Sequence, residues 1–430
     1  MNINNLINTL PKSLKTTTKF LQNQEEKASL SNTRFAQDTI TNLVPKAIFA
    51  RSKADLAENS FLEITESLLV YYGPKIFGEN VFRKIYSKNL DKSSKMLLST
   101  PLLDLKKDKN LNAEQLKAIT PIKAAIALSA MLIPLAEFTV NYVKNMFTLK
   151  LFKQGDFNNI ANLNKNKKEE NKSQEKIKKS AISNIKKAAI IFAGCVAASI
   201  LLVKKGKNSK ALQHLSELIL TPGDKLFSKN SRGANFVNKY FSLDFADQNG
   251  KLALSQGQLT SCVLIGGLGY FGAAKDRGKQ NYLETAFRFP LVGFYIITGS
   301  SMFEKGLKTL LRNKKSYQNI ISKDLKVPNY SELPQLAQNL AKKNLTSVEQ
   351  EYKKLCKQKN ILSSVPFLFG IGFMGLFVSG VSRFFTQYRF NKDNKEKSNR
   401  PSMIKAKTLD DYLASNTSKA SEYKAKRLAE

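Results

Sequence analysis

The stretch VLIGGLGYFGAAKDRGK, residues 263–279, decides the fold of this chain. Its glycines Gly267, Gly269 and Gly272 have the spacing GxGxxG, which in a strand–turn–helix unit holds the pyrophosphate of a dinucleotide. The same glycines can instead form a smooth face along one apolar helix. The two interpretations predict different folds, a parallel sheet covered by crossover helices or an all-α bundle.

The dinucleotide interpretation fails on the residues that follow the glycines. The next apolar run, LVGFYIITGS at residues 291–300, carries no acidic residue that could hold a ribose hydroxyl. Gly278 would fall inside the crossover helix, at a cost of about 1 kcal/mol relative to Ala. The remaining chain does not alternate strands with helices. A soluble NAD-dependent enzyme that uses the turn from Gly267 to Gly272 is therefore only our third interpretation.

A membrane interpretation, based on apolar runs bounded by charged residues, explains more of the chain than the dinucleotide interpretation does. The runs cover residues 124–143, 188–203, 252–274, 289–303 and 360–382. A hydrocarbon core of about 30 Å needs about 20 helical residues, so three of the runs are long enough and two are short. We therefore predict an all-α, multi-pass helical membrane protein with four to five apolar helices, and with amphipathic and polar helices outside the membrane.

These runs divide the chain into seven predicted segments. The segments are a polar, helix-rich N-terminal region (1–117), the first two membrane helices with a lysine-rich linker (118–203), a polar connector (204–251), a glycine-rich helix pair (252–304), a polar helical connector (305–359), the last membrane helix (360–385) and a polar C-terminal tail (386–430). In the first segment, Phe61, Ile64 and Leu68 recur at helical spacing. We expect this apolar face to pack on a neighbouring helix, with the acidic residues turned away from it. The alternative is that the helix lies flat on a membrane.

The charge favours lipid over nucleic acid as the partner. The formal net charge is +35, but only eleven of the 69 basic residues are arginine, the residue best suited to phosphate and base readout. Lysine spread along the whole chain suits anionic head groups of a lipid bilayer instead. The predicted head-group contacts are Lys275, Arg277, Lys279 and Arg288. Basic residues balance on the two sides of the predicted helices, so no orientation is predicted.

Small residues at four-residue spacing predict faces for membrane helix packing. The residues are Gly266, Gly269 and Ala273 in one run, Ala189, Ala193 and Ala197 in a second, and Gly375 with Ser379 in a third. Such faces let helix backbones approach closely, either within the chain or against other membrane proteins.

One carboxylate interrupts the first apolar run. Glu137, with Asn141 one turn later, is a candidate intramembrane polar site, because a carboxylate at bilayer depth is costly and marks function by default. The alternative is that Glu137 reaches the membrane interface or Lys144. A transporter or channel that uses Glu137 is our second interpretation.

The remaining residue types give little support to catalysis. Cys195, Cys262 and Cys356 have no metal-binding spacing, and His214 is the single histidine. The first thirty residues lack the apolar core of a cleavable signal peptide. We predict no catalytic, cofactor-binding or metal-binding residue and no cofactor. The expected role is structural or partner-binding.

Overall fold

The computed structural model describes residues 3–26, 39, 42–163, 171–248 and 250–399. The structure is 80% helix and 1% strand, which confirms the predicted all-α class. The chain divides into two compact units, Met1–Phe384 and Phe385–Glu430. The predicted tail, residues 386–430, lies outside the described residues beyond residue 399.

Twenty α-helices and one pair of strands are described. The α-helices are α1 (Ile3–Asn8), α2 (Lys12–Glu26), α3 (42–48), α4 (Lys53–Gly73), α5 (Lys84–Tyr86), α6 (Lys92–Met96), α7 (Leu102–Leu105), α8 (Ala113–Ser129), α9 (Leu132–Phe152), α10 (Phe157–Ile160), α11 (Asn171–Lys205), α12 (Lys210–Leu220), α13 (Pro222–Leu226), α14 (Arg232–Phe241), α15 (Gln256–Asp276), α16 (Lys279–Phe294), α17 (Ser300–Arg312), α18 (Leu333–Asn344), α19 (Val348–Gly370) and α20 (Ser379–Asn399). The strands are β1 (Ala246–Gln248) and β2 (Lys251–Ala253). Short π-helical segments cover Pro74–Arg83, Tyr295–Gly299 and Ile371–Val378, and 3₁₀ turns cover Gly206–Asn208, Lys315–Tyr317 and Tyr330–Glu332.

The two strands form a small antiparallel hairpin. Gly250 turns the chain with a φ of +77°, and its backbone N–H donates to Asp247 Oδ1 at 2.9 Å. Glycine reaches this left-handed conformation without a side-chain clash, which suits it to the turn. No other strand occurs in the described part of the chain.

The deciding stretch forms the interior of α15. Ser255 caps the helix and makes a capping box with Gln258, and the helix continues to Asp276. All three glycines of the GxGxxG pattern therefore lie inside a helix, and the strand and tight turn of a dinucleotide site do not form there. Gly278, with a φ of +110°, then reverses the chain into α16. The predicted helix pair is formed by α15 and α16.

Three helical stretches are long and apolar enough, by length and composition, to cross a membrane. They are Ala113–Phe152, Gln174–Asn208 and Val348–Glu396. The first is mostly surrounded by the rest of the protein, with 78% of its apolar window buried, whereas the other two are each 17% buried. The first stretch is broken between α8 and α9, and Pro134 lies in the first turn of α9, where its missing N–H is harmless.

Helix α11 is longer than its apolar run. It covers 35 residues, or about 52 Å at 1.5 Å per residue, because the lysine-rich segment before the run is also helical. Ile177 and Ala181, both in that segment, are fully buried. The second apolar run is therefore the C-terminal half of one long helix. Residues 164–170 of the predicted linker lie outside the described residues.

Helix α4 follows the prediction only in part. Phe61 stacks on Phe147 of α9 as expected, with 4.8 Å between ring centroids. Asp55, Glu58 and Glu63 on its acidic side are buried, while Ile64 and Leu68 are exposed. The expectation that this apolar face packs on a neighbouring helix is wrong for these two residues. The reason is electrostatic: basic side chains of other segments meet the acidic face inside the bundle, as the site below shows.

Candidate functional site

The centre of the buried polar groups is Glu58 of α4. Its Oε1 accepts from Lys144 Nζ at 2.9 Å, and its Oε2 lies 2.5 Å from Arg277 Nη1. Thr148 Oγ1 donates to the same Oε2 at 3.1 Å. The Arg277 side chain is fully buried. One carboxylate thus joins α4 to α9 and to the residue that follows α15, and it holds two cations.

The two cations decide the ionisation of Glu58. Burial raises the pKa of this carboxyl group, but Arg277 and Lys144 more than offset that effect and lower the pKa from 4.5 to about 2. Glu58 is therefore ionised at neutral pH, and the interaction is a buried salt bridge with charge-assisted hydrogen bonds.

A second ionic group joins the start of α4 to α16 and α20. Arg51 contacts Glu284 at 3.0 Å and Asp55 at 3.4 Å. Asp55 also faces Arg383 at 3.6 Å, and Glu284 faces Arg288 at 3.8 Å. All five side chains are at least 85% buried, so these pairs are shielded from water.

The predicted head-group contacts divide into two kinds. Lys275 and Lys279 are exposed. Arg277 and Arg288 are buried in the ion pairs just described, so the prediction does not fit them. The sequence alone could not pair Arg277, since Glu58 lies 219 residues away. Arg288 and Glu284 lie only four residues apart on α16, so that pair can be predicted from helical spacing.

Glu137, the candidate intramembrane polar site, lies inside the bundle. It is buried and is hydrogen-bonded by the thiol of Cys262 on α15. Asn141 Nδ2 donates to the Glu137 backbone carbonyl at 3.0 Å, and Asn141 Oδ1 has no hydrogen-bond partner in the described part of the chain. The alternative partner, Lys144, is held by Glu58 instead.

The surroundings of Glu137 are tight. A Cβ atom added to Gly266 would lie 3.2 Å from Glu137 Oε2. A crevice beside Cys262, lined also by Pro134 and Gln258, has room for about one water molecule. The crevice thus leaves little room for water at the Cys262 end of the pair.

The glycine face of α15 contacts α9. A Cβ atom added to Gly269 would lie 2.8 Å from the Cα of Phe138 and closer still to its carbonyl oxygen. Ala273 is fully buried, and its carbonyl accepts from Asn145 Nδ2 at 2.9 Å. Gly267 points elsewhere, toward the ring of Phe289 on α16. The small residues therefore let two helices pack against α15.

The small-residue face of α11 is placed differently. Ala189, Ala193 and Ala197 are exposed, and a Cβ atom added to Gly194 would meet nothing within 4 Å. These alanines make no packing face within the described part of the chain. Of the two kinds of helix contact that the spacing allows, the contact within the chain is therefore not formed there. The buried side of α11 carries Ser199, whose hydroxyl donates to the Ala125 carbonyl of α8 at 3.0 Å.

The third predicted face, Gly375 with Ser379, is buried. Ser379 Oγ donates to the Met374 carbonyl at 3.3 Å, so this hydroxyl is satisfied within its own helix. Burial of both residues agrees with a packing role, although the small-residue pattern does not name the partner helix.

Sequence reasoning missed Glu58, the centre of the site. The available signal was the acidic spacing of α4, in which Asp55, Glu58 and Glu66 recur near one side of the helix. That spacing is equally typical of a solvated face, so it could not by itself indicate burial.

No group of three or more His, Cys, Asp or Glu side chains that could hold a metal ion occurs in the residues that the structure describes. Comparison of the chain with protein-family models, with curated proteins and with solved structures gives no match.

Proposed function

We propose that the chain is an integral, multi-pass helical membrane protein whose role is structural or partner-binding, with basic surfaces that face anionic lipid. The observation that carries this proposal is that buried ion pairs lie inside the bundle while large apolar side chains are exposed on several helices.

The apolar exterior is spread over several helices. Ile190 on α11 is 72% exposed and Leu268 on α15 is 66% exposed. Phe294 on α16 and Leu368 on α19 are also exposed. Large contiguous apolar surface is unfavourable in water, but it is the stable arrangement beside acyl chains.

The charged interior supports the same proposal. Charged side chains within membrane segments face the bundle interior and pair with one another. Lys144 pairs with Glu58, and Glu284 of α16 pairs with Arg51 and Arg288. These pairs let α9 and α16 carry ionisable groups without exposing them to hydrocarbon.

The proposed count is four to five membrane helices. The three apolar stretches supply three, and α15 with the helix α16–α17 supplies the others. Lys275 in the last turn of α15 and Lys279 at the start of α16 are exposed and would meet anionic head groups at the membrane surface. The small residues exposed on α11 would be free to contact another membrane protein.

An alkaline carbonate wash tests integration into the membrane. We expect the full chain, expressed in cells, to stay with the membrane pellet after the wash and to enter the supernatant only with a nonionic detergent. Burial of apolar helices in hydrocarbon is insensitive to the pH and salt that remove peripheral proteins. Release by carbonate alone would contradict the proposal, and resistance to detergent would identify an aggregate instead.

Cation or proton transport through Glu137 is a second candidate function. It is favoured by a buried carboxylate that is held by the Cys262 thiol and lies near the unpartnered Asn141 Oδ1. We expect Glu137→Gln to abolish a proton or sodium flux in vesicles that contain the purified chain. Glu114→Gln, an exposed carboxylate on α8, is the control. Equal flux in the wild type and Glu137→Gln would reject this candidate.

A further inference from the structure

The connector between α11 and α15, residues 206–255, is less polar than the sequence suggested. It contains α13 and α14, which we call the interfacial hairpin (residues 222–241). Four large apolar side chains of the hairpin are exposed, and we call them the apolar patch. The patch consists of Leu226 (64% exposed), Phe227 (48%), Phe236 (57%) and Phe241 (49%).

Small and polar residues hold the hairpin together. Asn238 Oδ1 accepts from the Gly223 backbone N–H at 2.7 Å, and Asn238 Nδ2 donates to Asp224 Oδ1 at 2.8 Å. A Cβ atom added to Gly223 would lie 2.8 Å from the carbonyl carbon of Ala234, so the two helices touch closely. The inner face is thus already closed, and the apolar patch is not needed for it.

Three aromatic side chains of α14 form one cluster. The ring of Phe236 lies 4.9 Å from that of Tyr240 and 6.4 Å from that of Phe241, between centroids. Phe227 packs beside Gly233 at the start of α14, where an added Cβ atom would lie 3.2 Å from the ring. Clustered aromatic rings with a phenol among them are typical of the membrane interface.

Basic residues lie close to the apolar patch in the sequence. Residues 225–241 contain four basic residues and no acidic residue. Lys225 pairs with Glu217. Lys229, Arg232 and Lys239 are exposed, and we call these three the basic rim. Apolar insertion combined with positive charge is the pattern by which amphipathic helices bind anionic bilayers.

Both ends of the connector are tied to proposed membrane helices. Lys204 and Lys205 end α11, and α14 packs on the first turns of α15, where a Cβ atom added to Gly257 would lie 2.9 Å from the backbone nitrogen of Ser242. A connector of this length, held at both ends, keeps the hairpin near the membrane surface that α11 leaves and α15 enters.

We propose that the interfacial hairpin lies in the head-group region of a bilayer rich in anionic phospholipid, with the apolar patch inserted among the acyl chains and the basic rim against the phosphates. The placement of the hairpin rests on the proposed function, since it takes the ends of α11 and α15 as the membrane boundary.

The chain contains no tryptophan, so a single introduced tryptophan reports its own surroundings. We choose Phe236→Trp in the apolar patch and Leu345→Trp as the matched control, because Leu345 is 94% exposed in the link between α18 and α19. Each full-length variant is reconstituted into vesicles of phosphatidylcholine and phosphatidylglycerol in equal parts, with bromine on shallow acyl carbons as the quencher.

We expect blue-shifted emission from Phe236→Trp and quenching several-fold stronger than that of Leu345→Trp. Equal emission and equal quenching for the two variants would overturn the proposal. Blue-shifted emission without quenching would also overturn it, because it would show that protein, such as a second copy of this chain, covers the patch.

A third reporter, Leu268→Trp on the exposed side of α15, separates this proposal from the proposed function. Because residue 268 lies near the middle of α15, its quenching is measured in vesicles with bromine on deep acyl carbons. Quenching at residue 268 but not at residue 236 would reject the hairpin alone. Quenching at residue 236 but not at residue 268 would reject a membrane-spanning α15 while keeping the hairpin on the surface.

The basic rim is tested with the triple change Lys229→Gln, Arg232→Gln and Lys239→Gln in the Phe236→Trp chain. We expect quenching in the mixed vesicles to fall toward the level seen in phosphatidylcholine alone, since the attraction of the phosphates is lost. Unchanged quenching would show that the hairpin does not select anionic lipid and would overturn that part of the proposal.

Discussion

Replacement of Glu58 by glutamine is expected to destabilise the folded chain by about 3–5 kcal/mol, because removal of one partner leaves the others buried and unpaired. Glu58 holds Arg277 at 2.5 Å and Lys144 at 2.9 Å, and both cations are buried. Glutamine keeps the shape of the side chain but not its charge. Unfolding of the detergent-solubilised full chain, followed by circular dichroism, measures the loss.

Glu114→Gln is the matched control for Glu58→Gln. Glu114 pairs with Lys117 at 3.4 Å, but its side chain is 63% exposed. Exposed pairs contribute about 0–1 kcal/mol, so this change should leave the unfolding transition almost in place. Equal losses in the two variants would mean that burial of the Glu58 cluster adds nothing to stability.

The same cluster predicts a loss of stability in acid. The pKa of Glu58 is lowered to about 2 in the folded chain from an ordinary 4.5, so its contribution is fully present above about pH 4.5. That contribution is lost as the pH falls through the window toward pH 2, because the unfolded chain binds the proton first. We expect Glu58→Gln to lack this part of the pH dependence in the same unfolding measurement. If the wild type and Glu58→Gln lost stability identically in acid, the loss could not be assigned to protonation of Glu58.

Replacement of Gly269 by valine is expected to destabilise the contact between α9 and α15 by about 3 kcal/mol or more, at the upper end of the cost of overpacking. A Cβ atom at residue 269 would lie 2.8 Å from the Cα of Phe138. The obstacle is backbone, so no side-chain rotation can relieve it, and the two helices must separate. The yield of monodisperse protein and its unfolding midpoint measure the effect.

Gly194→Val on α11 provides the comparison. A Cβ atom there meets nothing within 4 Å, so the same substitution has room in the single chain. We expect a change within about 1 kcal/mol, the range of helix propensities. A parallel loss in both variants would show that glycine itself, rather than the approach of α9 to α15, sets the stability. A loss of self-association in Gly194→Val alone would point to a partner on that face.

Local patterns predicted the helices well. The uncharged run at 252–274 predicted the helix that became α15. The glycine spacing predicted a close helix contact but not its partner, which the structure identifies as α9. Prediction was poorer where a helix could turn either side inward. On α4 the apolar spacing was read correctly as helical, yet Ile64 and Leu68 lie outside. On α11 the spacing of the alanines predicted a packing face, but the buried side of the helix is the one that carries Ser199.

The sequence by itself determined the all-α class, the helical state of the GxGxxG stretch and the apolar runs, because helix formation and hydropathy depend on residues within one or two turns. Only the tertiary structure decided which face of each helix is buried. That choice depends on charges far apart in the chain, such as Glu58 and Arg277, which are 219 residues apart. A buried carboxylate is stable only when such a cation pairs with it. No local sequence pattern indicates which distant cation does so.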